Sequence, residues 1–454
     1  MSTRQIERIT HIESLLLIEN TVIDTKKLRE ACSYGIPDSL RPLCWRLFLD
    51  YLPRDRPNWK VVLAQQRAGY ADLVENLIVT PGEQEDRHSA ATTSKEVTDH
   101  PLSETSTTSE FRENEILIQI DRDVRRLRPE IQFFQKNTDY PFISAARINL
   151  AKRISRDRLA VDEDPLSKMS DRSFLKSSEM TEESQSPAVP VKTAEEQDPE
   201  CELHWQVVER MLFIYSKVNP GIKYVQGMNE LIGPIYYVFA TDPDREWAEH
   251  AEADTFYCFQ HLMSEVKDNF IKKLDKSNCG IEIVINKFHE RLAVQDPALY
   301  HHIAETQQIQ PQFYVFRWIL LLLSQEFSLP DLITLWDAVF ASTDRIDCVQ
   351  SICLVMLNEI REDLLAGDFS ANMRLLQDYP NNIDVANIMI KAYDLRHKKV
   401  SNNSARSNSA SDTSDISFNS SSQSLTRAAD RISAFMTGAK ARINQYTNKK
   451  KDNS

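Results

Sequence analysis

Apolar residues recur at steps of three and four in one segment after another, and that period restricts this chain more tightly than any other feature. From Leu203 to Val218 the spaced positions are Trp205, Val208, Leu212 and Tyr215, and Asn219-Pro220-Gly221 then supplies a stop. Each such stripe is the buried face of an amphipathic helix. Glycine usage agrees. Only 9 of 454 residues are glycine, against an ordinary share of ~7 %, too few for a chain of tight hairpins, barrels or glycine-rich phosphate loops. The expected fold class is all-α, a single multi-helix domain.

A weak helical signal (Ile6, Ile9, Ile12, Leu15 to Leu17) occupies an N-terminal extension, residues 1–27, and Thr25 begins another helix. Gly35-Ile36-Pro37 ends that element, and Asp38 or Ser39 can cap the next, with Leu40, Leu43 and Leu47 inward and Trp45 nearby. Arg41 then reads either as a surface arginine or as half of a structural ion pair. Further helices are expected over Trp59 to Ile78, Met228 to Ala240, Ala251 to Val266, Ile281 to Leu292 and Val315 to Leu323. Pro330 opens another, with Leu332, Leu335, Trp336 and Val339 inward and Asp337 just off that face. Cys348 to Leu365, Ser370 to Gln377 and Val385 to Leu395 complete a helical domain spanning 28–398.

The net charge of −13 sits mostly in two stretches rich in Ser, Thr, Glu and Asp. Glu83 to Arg112 has seven acidic and three basic residues, and Ser155 to Glu200 twelve acidic and six basic. By composition these are disordered acidic insertions, about 82–112 and 155–200, because the apolar segments beside them are too short for separate cores. A Ser/Asn-rich linker follows over 399–422. The disordered tail 423–454 then carries seven basic and two acidic residues around an apolar stripe (Leu425, Ala428, Ile432, Phe435, Met436, Ile443, Tyr446). Leu425 to Lys451 suits a basic amphipathic helix on an anionic membrane or in a partner's groove, or one docked on the core. The acidic balance argues against nucleic acid as a partner.

Seven dispersed cysteines without a C-x-x-C pair read as mostly buried thiols in a reducing compartment. The N-terminus lacks an apolar signal region, and no uncharged apolar run nears the ~20 residues of a membrane span. A soluble cytoplasmic protein is expected.

The motifs of ordinary enzymes are missing: no P-loop, no dinucleotide fingerprint, no H-E-x-x-H, no nucleophile elbow. Adjacent His301 and His302 fall on different helix faces and make a poor metal pair, so no cofactor of its own is expected. What stands out is a pair of polar stretches. Ile116 to Ile131 has a stripe of Ile116, Ile120, Val124 and Leu127 that Pro129 should end, with Asp123 close enough to hold Arg126. Asn219 to Asn229 is a turn presenting Tyr224 and Gln226, and Gly227 lets the backbone enter the next helix. Arginine and glutamine do not titrate usefully near neutral pH. They do suit phosphoryl transfer to water, where a guanidinium stabilises transferring charge and a carboxamide orients the nucleophile. Spacing alone does not choose among Arg122, Arg125, Arg126 and Arg128.

Ile120-x-x-Asp123-x-x-Arg126 followed by Tyr224-x-Gln226 resembles the paired motif of the TBC domain, the GTPase-activating domain for Rab GTPases. Gly35-Ile36-Pro37 with Arg41 and Trp45, Asp254 to Phe259, Phe316-Arg317-Trp318 and Leu335-Trp336-Asp337 fit the same pattern. The resemblance runs from about Leu28 to Leu395. It implies an all-helical fold, Arg126 as arginine finger and Gln226 as glutamine finger. Asp123 would orient Arg126, Tyr224, Gly227 and Asn229 would shape the glutamine loop, and Arg41, Trp336 and Asp337 would support the site or the GTPase contact. Leu127 departs from the threonine common in the family. The implied partner is a GTP-bound Rab GTPase that carries the GTP and Mg2+, and the implied setting is cytoplasmic, peripheral on endosomal or vesicle membranes. The alternative is a noncatalytic Rab-binding scaffold or a membrane-recruited adaptor.

Overall fold

Helix follows helix along the chain, as the periodicity predicts. The computed structural model describes residues 3–16, 22–79, 104–146, 148, 150, 201–271 and 280–407. Among the described residues there is no strand, only the isolated bridges Val22–Asp55 and Asn137–Leu203. The longer helices are α1 (Thr3–Leu16), α2 (Thr25–Cys32), α3 (Arg41–Phe48), α4 (Trp59–Val74), α5 (Glu104–Val124), α6 (His204–Val218), α7 (Met228–Ala240) and α8 (Ala251–Val266). They continue with α9 (Ile281–Gln295), α10 (Val315–Leu320), α11 (Leu329–Ala341), α12 (Arg345–Glu359), α13 (Arg361–Ala366), α14 (Phe369–Gln377) and α15 (Val385–Ser407). By contacts the chain forms two units, one of Met1–Ala68 with Val218–Ser454, the other Gly69–Lys217.

In the larger unit α11 is central, packing on α2, α3, α12 and α15. Its Leu332, Leu335, Trp336, Val339 and Phe340 are buried, and the Trp336 and Phe340 rings lie 6.1 and 4.9 Å from that of Trp45 on α3. Short polar residues start several helices: Asp24 accepts from the amides of Lys26 and Lys27, and Asp344 from that of Asp347. Helices α7 and α8 pair extensively. Arg46 of α3, fully buried, reaches Asp254 of α8 at 2.9 Å and Asp242 at 2.8 Å. Arg67 and Tyr51 complete the ring of donors around Asp254, so this buried carboxylate is hydrogen-bonded from three sides and paired with two guanidinium cations.

In the smaller unit α5 and α6 run antiparallel. Glu113 pairs with Lys217 at one end, and Arg125 stacks on Trp205 at the other; twelve residues separate the two contacts on each helix. The buried face of α5 is Leu117, Ile120 and Val124, continued by Leu127.

Several expected boundaries move. Helix α3 has no side-chain cap and starts at Arg41 after a turn, with Asp38 paired to Arg41 instead. The expected helix to Leu323 stops at Leu320, because Leu322 and Leu323 take left-handed backbone (φ 48 and 65) and the Leu322 carbonyl accepts from Trp336 Nε1 at 2.8 Å. Cys348 to Leu365 is two helices, broken at Ile360. Helix α5 begins at Glu104, inside the first expected insertion, and α15 continues to Ser407, past the expected start of the linker at 399. The second insertion and the tail 423–454, with its expected membrane contact, lie outside the described residues. Cys32, Cys44, Cys258, Cys348 and Cys353 are buried and Cys201 is exposed. No described helix is long and apolar enough to cross a membrane.

Candidate functional site

Arg126 lies in the smaller unit. The stripe leading to it was expected to run from Ile116 until Pro129; instead Leu117 is the buried position, Ile116 only half-buried, and the helix ends at Val124. Right-handed helical backbone is disfavoured at a residue before proline, and Arg128 takes φ 48. The chain tightens ahead of it through bonds from the Arg126 amide to the Asp123 carbonyl (3.2 Å) and from the Leu127 amide to the Val124 carbonyl (3.1 Å). Such three-residue closures leave the α-helical ladder, so Arg126 stands on a turn.

The four arginines are no longer equivalent. Arg125 Nε donates to Asp121 Oδ1 at 2.7 Å, and its guanidinium covers the Trp205 ring at 4.3 Å. Arg128 is buried and donates to Glu130 at 3.4 Å. Arg122 remains on the exposed side of α5. Arg126 is exposed, with no hydrogen bond or ion pair to its guanidinium among the described residues. Asp123 is linked to it through the backbone bond alone, so the expected hold of carboxylate on guanidinium is not formed here.

Gln226 lies in the larger unit, exposed in the turn between α6 and α7. The turn opens with the Ile222 and Lys223 amides on the Asn219 carbonyl (3.1 and 2.8 Å) and closes with the Met228 amide on the Val225 carbonyl (3.1 Å). Tyr224 is buried, and its hydroxyl donates to Asn229 Oδ1 at 3.3 Å, joining the middle of the turn to the first turn of α7. Gly227 has φ 101, and a Cβ there would lie 2.7 Å from Leu321 Cδ2. Glycine is required twice, by the torsion and by the close approach.

The structure brings together Arg41, Trp45 and Asp337. Asp337, expected just off the inward face of its helix, is completely buried, accepting from Arg41 Nε, Trp45 Nε1 and the Ile36 amide. Trp336 is equally buried. Neither presents surface to a partner, so of the two roles expected for them only support is open. Burial pushes the Asp337 carboxyl up to about 6 against the pull of Arg41. Sequence reasoning missed the Arg125–Trp205 stack, whose only signal was a tryptophan at the start of α6 and an arginine at the end of α5.

Among the described residues no cluster of side chains could hold a metal ion. A guanidinium and a carboxamide, both exposed, can donate hydrogen bonds to an anionic ligand, and the carboxamide can also accept one from water.

A family model described as the Rab-GTPase-TBC domain matches residues 193–365, a span that includes Gln226 and not Arg126. TBC1 domain family member 13 of Homo sapiens is 45% identical over 407 residues, covering 88% of this chain and 100% of that protein. A TBC domain-containing protein of Schizosaccharomyces pombe is 34% identical over 465 residues, covering 87% and 74%. The crystal structure of the Ypt/Rab-GAP domain of Gyp1p aligns with TM-score 0.59 at 19% identity, over 87% of this chain and 99% of that one, a likeness of fold.

Proposed function

The chain belongs to the Rab-GTPase-TBC domain family, and we propose that it is a GTPase-activating protein for a Rab-family small GTPase. Arg126 and Gln226 are supplied in trans to the partner, which carries the GTP and Mg2+. The guanidinium stabilises charge on the transferring γ-phosphoryl group, and the carboxamide orients the attacking water in place of the GTPase's own glutamine. Peripheral action on endosomal or vesicle membranes belongs to the same proposal.

The observation that carries this reading is the state of Arg126. Beside two arginines committed to Asp121, Trp205 and Glu130, it alone in the turn keeps its five donors for a ligand. Gln226 supports it from a turn fixed by the Tyr224–Asn229 bond and by Gly227.

The test is single-turnover GTP hydrolysis by a panel of Rab GTPases. Acceleration of at least one is expected, and Arg126→Ala or Gln226→Ala should remove most of it, on the scale of about 10³ to 10⁵ for an arginine finger. A chain that binds a GTP-loaded Rab without accelerating it, or variants as active as the wild type, would sink the catalytic reading and leave a scaffold.

A further inference from the structure

Arg126 faces a mechanical problem. It stands two residues past the end of α5, so the helical ladder no longer fixes it, yet a finger displaced by an ångström loses much of its effect. Downstream the backbone is held by buried Leu127 and Arg128. Upstream the hold comes through Arg125. Its Nε is bonded to Asp121 one turn back, its carbonyl accepts from Gln135 Nε2 at 3.4 Å, and its flat guanidinium lies on Trp205. Asp121 and Trp205 are themselves buried, as is the Arg210–Glu202 pair of the same stretch of chain. The stack clasps the end of α5 to α6, and Glu113–Lys217 clasps the same two helices at the far end.

We propose that Arg125 is a positioning residue: by bonding Asp121 and stacking on Trp205 it sets the direction in which Arg126 leaves the backbone. This rests on the reading of Arg126 as the arginine finger. The task needs arginine in particular. A guanidinium presents an edge to the carboxylate and a face to the indole at once, whereas a lysine ammonium is a point charge without a face. The four arginines thus divide the work, with Arg125 gripping the helix pair and Arg126 free to engage a ligand.

The test uses the full chain and the most responsive GTP-loaded Rab of the panel. Arg125→Ala is expected to lower the single-turnover rate at saturating chain by about tenfold, with the half-saturating concentration changed less than twofold. Arg125→Lys keeps the charge beside Asp121 and loses the stack, so an intermediate rate is expected; it also serves if Arg125→Ala fails to fold. In an Arg126→Lys background, chosen to keep measurable turnover, Arg125→Ala should cost less than twofold, because a positioning residue acts through the side chain it positions. An unchanged rate, a loss confined to half-saturation, a full tenfold loss in the Arg126→Lys background, or Arg125→Lys equal to wild type would each overturn the proposal. Arg126→Ala at the wild-type rate would instead sink the finger assignment, a result no Arg125 variant can produce.

Discussion

Arg41 Nε donates to both carboxylate oxygens of Asp337, at 3.0 and 3.1 Å, across 296 residues of chain. With Trp45 Nε1 and the Ile36 amide each at 2.8 Å, the carboxylate is satisfied without water. Removing one partner of a buried pair strands the other, so Arg41→Ala should destabilise the fold by about 3–5 kcal/mol in chemical denaturation. Burial already lifts Asp337 above its usual 3.8 to about 6. A raised folded-state carboxyl loses stability as pH rises past the unfolded value. The Arg41→Ala deficit should therefore be smaller at pH 5 than at pH 8, and a deficit independent of pH would mean that Asp337 is not the stranded group.

Gly227 combines a left-handed torsion with a 2.7 Å approach to Leu321. Gly227→Ala should cost about 1–3 kcal/mol and at least tenfold in stimulated GTP hydrolysis, since the Gln226 turn must shift. Gly221, with nothing within 4 Å of a built Cβ, is the control. Its alanine variant should stay within about 0.5 kcal/mol of wild type.

Tyr224→Phe deletes one hydroxyl and its bond to Asn229. A loss of about 1 kcal/mol is expected for the hydrogen bond. A fall in stimulated rate larger than the change in Rab affinity would mark the bond as serving the turn. Equal falls in both would assign it to binding.

Glu209 of α6 is buried with Oε1 unbonded among the described residues, and burial, then the nearby Asp121, pushes its carboxyl well above the usual 4.5. Below the unfolded-state value both states hold the proton; as pH rises past it the unfolded chain ionises more readily, and stability is lost. Glu209→Gln should raise the unfolding temperature at pH 8 and change it little at pH 4.5. A variant equally shifted at both pH values would show that packing, not ionisation, governs the site.

Much of the helical frame was legible. Met228–Ala240 and Ala251–Val266 match their expected bounds because period and breakers coincide there. Leu203 to Val218 shifted by one residue for the same reason. What local pattern could not carry was contact across long separations. Nothing near Asp337 announces that the Arg41 guanidinium will arrive to pair with it, so the periodicity puts it just off the inward face and not in the core. The early end of α5 depended on Arg128 accepting an unusual torsion before Pro129. Spacing and composition did not separate four arginines of identical chemistry; the motif resemblance singled out Arg126, and what each one touches shows how Arg125 differs, bonded to Asp121 and stacked on Trp205.

The split of the larger unit, with α1 to α3 on one side of the smaller unit in sequence and α7 to α15 on the other, has a temporal meaning. A ribosome adding ~5–20 residues per second needs roughly 15–60 s to go from Arg41 to Asp337. For that interval Trp45, Phe48 and the thiols of Cys32 and Cys44 have been made before α11, which packs on the helices that carry them, whereas the smaller unit is complete once α6 has been made. Nascent chains should thus acquire protease resistance out of order, the middle before the beginning, and their first sixty-eight residues are where a chaperone's attention is most needed.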